Sequence, residues 1–134
     1  MSERYILLVE DNPDDELLML RALAKNDVAG EVVVARDGVE ALDYLFAEGS
    51  QAGRDAGAVP RIILLDLRLP KLDGLEVLGR LRSDERTRPI PVVVFISSEE
   101  DRDLIGNSGL HVSGYVRKPV GFGQYVEAVR RLDL

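Results

Sequence analysis

The sequence has no cysteine and one histidine, His111, among its 134 residues. Without cysteine it can form no disulfide, no thiolate metal site and no thiol nucleophile, and a single histidine cannot build a histidine metal cluster or a catalytic triad. Long apolar runs are also missing, since none approaches the roughly 18 residues of a membrane span. The first apolar run has only five residues, which does not fit a signal peptide. We therefore expect a cytoplasmic protein without a membrane partner, and a surface position for His111.

Basic charge is scarce as well, because 17 lysine and arginine residues stand against 24 aspartate and glutamate residues, a net charge of −7. Nonspecific nucleic-acid binding needs a basic face that releases counterions, so we expect no nucleic-acid partner. The composition, 46% hydrophobic and 31% charged, is that of an ordinary globular protein. The length predicts a single domain over residues 1–134 with no output domain, so a signal would leave through its surface.

Apolar runs bounded by turn residues alternate five times with stretches of helical periodicity. Continuous Ile, Leu and Val runs of this length are typical of strands buried on both faces of a parallel sheet. The predicted strands are residues 5–9, 31–35, 61–65, 92–96 and 114–117. The predicted helices are one from Pro13, capped by Asn12, and residues 39–47, 75–83, 99–107 and 121–132, with a peripheral loop at 48–60. Five such units predict an α/β fold, a doubly wound five-stranded parallel sheet with five helices.

The apolar positions of the first and fifth helices predict their buried faces. In the first helix, Leu18 falls opposite the apolar stripe and is predicted to be exposed. That stripe consists of Leu17, Leu20, Leu23 and Ala24. In the fifth helix the predicted core residues are Phe122, Val126 and Val129, and the predicted outer flank is Tyr125, Ala128 and Leu132.

Carboxylates follow two of the predicted strands. Glu10 and Asp11 end the first apolar run, and Asp66 ends the third. In an open α/β sheet the ligand crevice lies beyond the carboxyl ends of the strands, so neighbouring strands would bring these groups together there. A strand-terminal Asp can also be a helix or turn cap. Like charges gathered in a crevice need a cation or a proton, and a bound Mg²⁺, which takes oxygen ligands, is the simplest solution.

A lysine follows the fifth predicted strand. Lys118 would lie at the same rim of the sheet as the acidic strand ends, which makes it a candidate phosphate ligand rather than only a surface charge. A carboxylate nucleophile, a carboxylate-held Mg²⁺ and an ammonium group together make a site for phosphoryl transfer onto Asp66.

Three segments resemble the motifs of response-regulator receiver domains. They are LLVEDNP at residues 7–13, LLDLRLPKLDG at 64–74 and YVRKP at 115–119. The resemblance covers essentially the whole chain and implies a flavodoxin-like fold with strand order 2-1-3-4-5. It also implies a signalling protein, not an enzyme beyond its own phosphorylation and dephosphorylation, that accepts a phosphoryl group from a histidine kinase on Asp66.

The resemblance assigns roles to individual residues. Asp11, helped by Glu10, would hold Mg²⁺ with Asp66 and the backbone carbonyl of Arg68. Lys118 would contact the phosphoryl group, and its bond to the following proline would be cis. The EDNPDD opening at residues 10–15 and the long loop before the third strand resemble the stand-alone regulators paired with bacterial phytochromes. That narrower resemblance implies a phytochrome or related kinase as the phosphoryl donor.

One position departs from the receiver pattern. Receiver domains usually carry Thr or Ser at the end of the fourth strand, where its hydroxyl donates to the phosphoryl group. Counting back from Lys118 without gaps puts Ile96 there, with Ser97 next. Either Ser97 takes over through a local shift, or the hydroxyl switch is missing. Tyr115 matches the aromatic residue that usually moves with that switch, although it could equally be a tyrosine that covers the sheet edge.

Three other classes of protein fit less well. A hydrolase of the haloacid-dehalogenase type needs a second Asp two residues after the nucleophile, and that position is Arg68. A flavodoxin-like FMN carrier needs a phosphate-binding loop after the first strand, where the EDNPDD segment would repel phosphate. A degenerate receiver that only docks on partners is favoured by Ile96 alone.

Two partner surfaces are predicted. Leu18, on the first helix beside the site, is a candidate contact for the kinase. A homodimer is predicted on the face formed by helix 4, strand 5 and helix 5, with Tyr125 and Leu132 on its apolar flank. The acidic start of the fourth helix would meet the basic end of the partner's fifth helix, since a two-fold interface pairs each patch with its complement.

Overall fold

The structure is a computed structural model, and it describes residues 5–28, 30–46, 59–69, 72–118 and 121–132. Five strands alternate with five helices in these ranges. The strands are β1 (Ile6–Val9), β2 (Val32–Ala35), β3 (Ile62–Asp66), β4 (Val92–Ile96) and β5 (Gly114–Arg117). The helices are α1 (Pro13–Lys25), α2 (Gly38–Phe46), α3 (Gly74–Ser83), α4 (Glu99–Ser108) and α5 (Phe122–Leu132). All ten predicted elements are therefore present, and most of the predicted loop at 48–60 lies outside the described residues.

The strands form one parallel sheet in the order β2-β1-β3-β4-β5, which confirms the predicted fold and strand order. Val9 of β1 is in register with Leu65 of β3, and Asp66 is in register with Phe95 of β4. The carboxyl ends of β1, β3 and β4 therefore meet at one edge of the sheet. This edge is where the acidic residues were predicted to gather.

Side chains of successive strand residues enter two separate cores. Leu7, Ile63 and Val94 pack against α2, α3 and α4 on one face of the sheet. Leu8, Leu64 and Phe95 pack against α1 and α5 on the other face. Both faces of β1, β3 and β4 are covered, which explains why their sequences are apolar at every position instead of alternating.

The core face of α1 differs from the prediction. Met19, Ala22 and Leu23 are its buried residues, and Leu18 packs against the same core. Leu17 is 48% exposed, so the exposed leucine is one position earlier than predicted. The prediction was wrong because residues 17–20 are all apolar, and such a run contains two stripes of equal spacing that differ by one position.

The core face of α5 is also different. Tyr125 is 1% exposed and Phe122 is 41% exposed, which reverses their predicted positions. Val129 is buried as predicted, and Leu132 is partly buried against the core that contains α1. Tyr125 therefore cannot be part of an outer dimer flank. Its ring packs in the core that contains α1, and its hydroxyl donates to Asp15 on that helix.

The loop after β3 is held close to the start of α3 by a glycine. The N–H of Gly74 donates to the carbonyl of Leu67 at 2.8 Å. A Cβ atom at Gly74 would lie 2.5 Å from the carbonyl oxygen of Asp66 and 2.6 Å from the Cα of Leu67. Only glycine allows this approach, which fixes the backbone that follows Asp66. None of the described helices is long and apolar enough to cross a membrane.

Candidate functional site

Three carboxylates from two neighbouring strands lie together at the carboxyl edge of the sheet. Glu10 follows β1 and is buried, Asp11 is exposed beside it, and Asp66 is the last, buried residue of β3. One oxygen from each of the three lies within 4.8 Å of the others. This donor set is all carboxylate oxygen, with no soft or nitrogen ligand, so it fits a hard cation such as Mg²⁺. The predicted convergence of Glu10, Asp11 and Asp66 is what the structure contains.

The ammonium group of Lys118 lies inside this cluster. Its Nζ is 2.8 Å from Asp66 Oδ2 and 3.0 Å from Glu10 Oε1. Lys118 directly follows β5, and its N–H donates to the carbonyl of Ile96 at 2.7 Å, which fixes the backbone next to β4. The structure therefore places the candidate phosphate ligand against the candidate nucleophile.

Burial and neighbouring charge shift the proton affinities of this cluster. Burial, together with the hydrogen bond and negative charge of Asp66, raises the pKa of Glu10 to about 8 although Lys118 opposes the change. Burial alone would lower the pKa of Lys118, but hydrogen bonds with Asp66, Asp15 and Glu10 outweigh it and hold that pKa above its ordinary value. Lys118 therefore stays positively charged, whereas burial and the neighbouring Asp66 disfavour the ionised form of Glu10.

Two further residues lie at the site: Asp15, which the sequence analysis did not single out, and Tyr125, which it placed on the dimer flank. Asp15, in the first turn of α1, accepts a hydrogen bond from Lys118 Nζ at 3.0 Å and from the Tyr125 hydroxyl at 2.9 Å. Burial and this hydrogen bond raise the pKa of Tyr125, so its hydroxyl stays a neutral donor. Asp15 precedes Met19 by four residues, so it shares the buried face of α1. Drawing the helical stripe through Met19 would have revealed Asp15.

Arg68 connects the loop after β3 with α4. Its N–H donates to Asp66 Oδ1 at 3.0 Å, and its guanidinium forms an ion pair with the buried carboxylate of Asp101. The other oxygen of Asp101 accepts the Ser97 N–H at 2.9 Å. Burial raises the pKa of Asp101, but these hydrogen bonds outweigh it and leave the pKa below its ordinary value. The sequence did not reveal this link, because an Asp in an acidic helix start is usually a solvated residue.

The position expected to carry a hydroxyl contains Ile96. Ile96 is buried in the core that packs on α4, and Ser97 is exposed, with its backbone N–H bound to Asp101. Tyr115 is partly exposed on β5, with the Arg102 guanidinium 5.5 Å from its ring centroid. His111 is exposed as predicted. The predicted cis bond after Lys118 involves residue 119, which lies outside the described residues.

The described arrangement can hold a divalent cation between three carboxylates and can neutralise a phosphoryl group with Lys118. It also presents a buried carboxylate oxygen, on Asp66, as a nucleophile at the rim of the sheet. A receiver domain has this combination of fold and site.

The family model for the response regulator receiver domain matches residues 6–130 of the chain. The chain therefore belongs to the response regulator receiver domain family, as the motifs had indicated. Members of this family are signalling proteins of two-component systems rather than classical enzymes, and they bind Mg²⁺ through acidic residues.

Several of the similar solved structures are response regulators of phytochromes. The bacteriophytochrome response regulator AtBRR is 51% identical with a TM-score of 0.84, and the match covers 99% of this chain and 94% of that one. The phosphorylated cyanobacterial phytochrome response regulator RcpA is 42% identical with a TM-score of 0.84, covering 98% and 92%. The probable methanogenesis regulatory protein FilR2 of Methanothrix harundinacea is 44% identical over 128 residues, covering 95% of this chain and 79% of that protein.

Proposed function

We propose that this protein is a response regulator that accepts a phosphoryl group on Asp66 from a histidine kinase in a Mg²⁺-dependent reaction. The observation that carries the proposal is the buried Asp66 carboxylate with Lys118 Nζ at 2.8 Å and two further carboxylates within metal-binding reach. The phosphorylated form of the similar regulator RcpA supports the same chemistry here.

In the proposed step, an oxygen of Asp66 forms a bond to phosphorus as the bond from phosphorus to the donor's histidine nitrogen breaks. The electron pair of that bond stays on the nitrogen, and the donor, protonated on its other ring nitrogen, is left as neutral histidine. Lys118 places its positive charge where the phosphoryl oxygens gather negative charge. The N–H of Arg68 holds the second carboxylate oxygen of Asp66, which orients the nucleophile.

The carboxylates of Glu10, Asp11 and Asp66 and the backbone carbonyl of Arg68 would hold the metal. When bound, Mg²⁺ supplies charge neutralisation for phosphoryl oxygens. Burial, and after it the hydrogen bond and negative charge of Asp66, raise the pKa of Glu10, so a cation bound beside these carboxylates would favour their ionised form.

We propose a phytochrome or related sensor kinase as the donor, because several of the similar structures are regulators of phytochromes. The kinase would contact the active-site ends of α1 and α5, where Leu17 and Phe122 are exposed apolar residues. Leu17 replaces Leu18 in this proposal, since Leu18 packs against the core. Both partners would work in the cytoplasm.

We also propose that the signal leaves through a homodimer on the face formed by α4, β5 and α5. Leu104 on α4 is 46% exposed, and Tyr115 on β5 is 38% exposed. A groove of about 710 Å³ runs between β5 and α5, and Leu132 and Ala128 line its apolar part. Arg130 and Arg131 already pair with Glu127 within α5, so the apolar residues and not these charges would supply affinity.

Phosphoryl uptake can be tested with acetyl phosphate, a small donor that needs no kinase. Incubation with Mg²⁺ should add one phosphoryl group to the intact mass of the wild type and none to Asp66→Asn, because an amide is no nucleophile. Asp14→Asn, an exposed aspartate outside the cluster, is the matched control and should react like the wild type. A wild type that stays unmodified would instead favour the docking receiver that Ile96 suggests.

A further inference from the structure

The first turn of α4 is attached to the domain by a charged residue. Asp101 and Ile105 are the two buried residues of α4, and Asp101 is 1% exposed. A buried carboxylate is costly unless hydrogen bonds and an opposite charge compensate it. The Ser97 N–H and the Arg68 guanidinium supply that compensation here. The attachment of α4 therefore depends on a residue that belongs to the loop after Asp66.

Arg68 begins next to the proposed phosphoacceptor. Its backbone nitrogen is 3.0 Å from Asp66 Oδ1, and its Cα is one bond of about 1.5 Å further. The side chain of Arg68 is 62% exposed, whereas that of Asp101 is 1% exposed. Arg68 is thus free to swing towards a new anion, but Asp101 cannot follow it.

A phosphoryl group on Asp66 would be a strong competitor for this guanidinium. It carries close to two negative charges, and its oxygens match the planar fork of arginine, which binds phosphate in a bidentate manner. The usual hydroxyl donor is absent at Ile96, whose side chain is buried on the α4 side of the sheet. At the end of β4, a phosphoryl oxygen would therefore find no hydroxyl donor at residue 96.

We propose that the Arg68 side chain is a ligand of the phosphoryl group on Asp66, and that Asp101 holds this side chain in the unphosphorylated protein. This inference rests on the proposed function. Transfer of Arg68 from Asp101 to the phosphoryl group leaves a buried carboxylate without its cation and loosens the first turn of α4. The same turn carries Arg102, which lies over Tyr115, so the change reaches the surface of β5. An exchange of ion pairs takes the place of the hydroxyl switch.

Beryllofluoride with Mg²⁺ mimics a phosphoryl group on an aspartate, so it can test whether this group and Asp101 compete for Arg68. Substitutions of Arg68 and of Asp101 should change the affinity for beryllofluoride in opposite directions. Arg68→Gln should weaken beryllofluoride binding by roughly ten-fold, the effect of one lost charge-assisted hydrogen bond. Asp101→Asn should strengthen it by roughly three-fold or more, because Arg68 no longer has to leave a carboxylate. Glu100→Gln, which removes an exposed charge from the same turn of α4, should change binding little. Arg68→Lys, which keeps the charge but loses the planar fork, should fall between the wild type and Arg68→Gln.

Amide hydrogen exchange over residues 97–105 gives the second measurement. Beryllofluoride should speed exchange there in the wild type, and Asp101→Asn should show faster exchange without beryllofluoride and little further change with it. Equal affinities in Arg68→Gln, Asp101→Asn and the wild type would overturn the inference and leave the proposed function intact. A wild type that does not bind beryllofluoride, or an Asp66→Asn variant that binds it as well, would overturn the proposed function first. If Arg68→Gln fails to fold, the opposite-sign change in Asp101→Asn decides alone.

Discussion

The hydroxyl of Tyr125 offers a test of the buried contact between α1 and α5. It donates to Asp15 Oδ1 at 2.9 Å, and the tyrosine is 1% exposed. Tyr125→Phe removes this hydroxyl and leaves the ring in the core. Asp15 keeps Lys118 as a partner, so we expect a loss near the low end for a hydrogen bond to a charged group, about 1.5 kcal/mol of unfolding free energy. For a domain of this size that corresponds to a melting temperature lower by about 5 °C.

Urea unfolding followed by circular dichroism measures this loss, with the slope of the transition expected to stay constant. Tyr115→Phe is the matched control, because it removes a hydroxyl from a partly exposed tyrosine and should change stability by less than about 0.5 kcal/mol. A Tyr125→Phe variant as stable as the wild type would refute the reasoning. It would mean that Asp15 and Tyr125 are solvated separately in solution. Tyr125→Asp would be a poor test of dimerisation, because it places a carboxylate in the core beside Asp15.

Three further predictions concern the metal and the partner surfaces. Mg²⁺ at about ten times its dissociation constant should stabilise the wild type by about 1.4 kcal/mol. This stabilisation should vanish in Asp11→Ala and persist in Asp14→Ala. An equal response of the two variants to Mg²⁺ would place the metal elsewhere. Leu17→Asp should slow phosphoryl transfer from the cognate kinase without affecting acetyl phosphate uptake or stability. Leu18→Asp, in contrast, should destabilise the fold. Equal stability of the two variants would contradict the corrected face of α1. Leu104→Asp should abolish a dimer seen by sedimentation. Val39→Asp, which changes an exposed apolar residue on α2, should leave the dimer intact. A wild type that is monomeric at high micromolar concentration, phosphorylated or not, would contradict the proposed dimer.

The fold and the centre of the site could be predicted because they depend on local signals. Uninterrupted apolar runs mark buried parallel strands, and the polar residue that ends each run must lie at the edge where ligands bind. Glu10, Asp66 and Lys118 follow from this rule. No residue beyond the strand ends is needed to place them.

The faces of α1 and α5 could not be predicted in this way. Residues 17–20 are all apolar, so periodicity alone does not decide between Leu17 and Leu18. The deciding signal is polar: Asp15 on α1 and Asn26, the C-cap that follows α1, both bond to α5, and Asn26 Nδ2 donates to the carbonyl of Val126 at 3.0 Å. Tyr125 was predicted on the outer flank of the apolar stripe of α5, yet its ring is in the core and its hydroxyl donates to Asp15 on α1.

The ion pair between Arg68 and Asp101 was out of reach for a different reason. The two residues are 33 positions apart, and the other charged residues in the first turns of α4, around Asp101, are exposed. A charged residue is buried only when its partner is present, and the partner is set by the tertiary fold. Sequence patterns describe single elements, so they do not reveal a residue whose burial depends on another element.

The three acceptors of Lys118 have a consequence for the order of events at the site. An ammonium group has three N–H donors, and those of Lys118 point to Asp66, Glu10 and Asp15 at 2.8, 3.0 and 3.0 Å. All three N–H donors of Lys118 therefore have acceptors before any phosphoryl group is present. The proposed phosphorylation would therefore be a substitution at this nitrogen, in which an incoming phosphoryl oxygen displaces a carboxylate already bound. The displaced carboxylate would then need another cation, so Lys118 and the metal would compete for the same carboxylates.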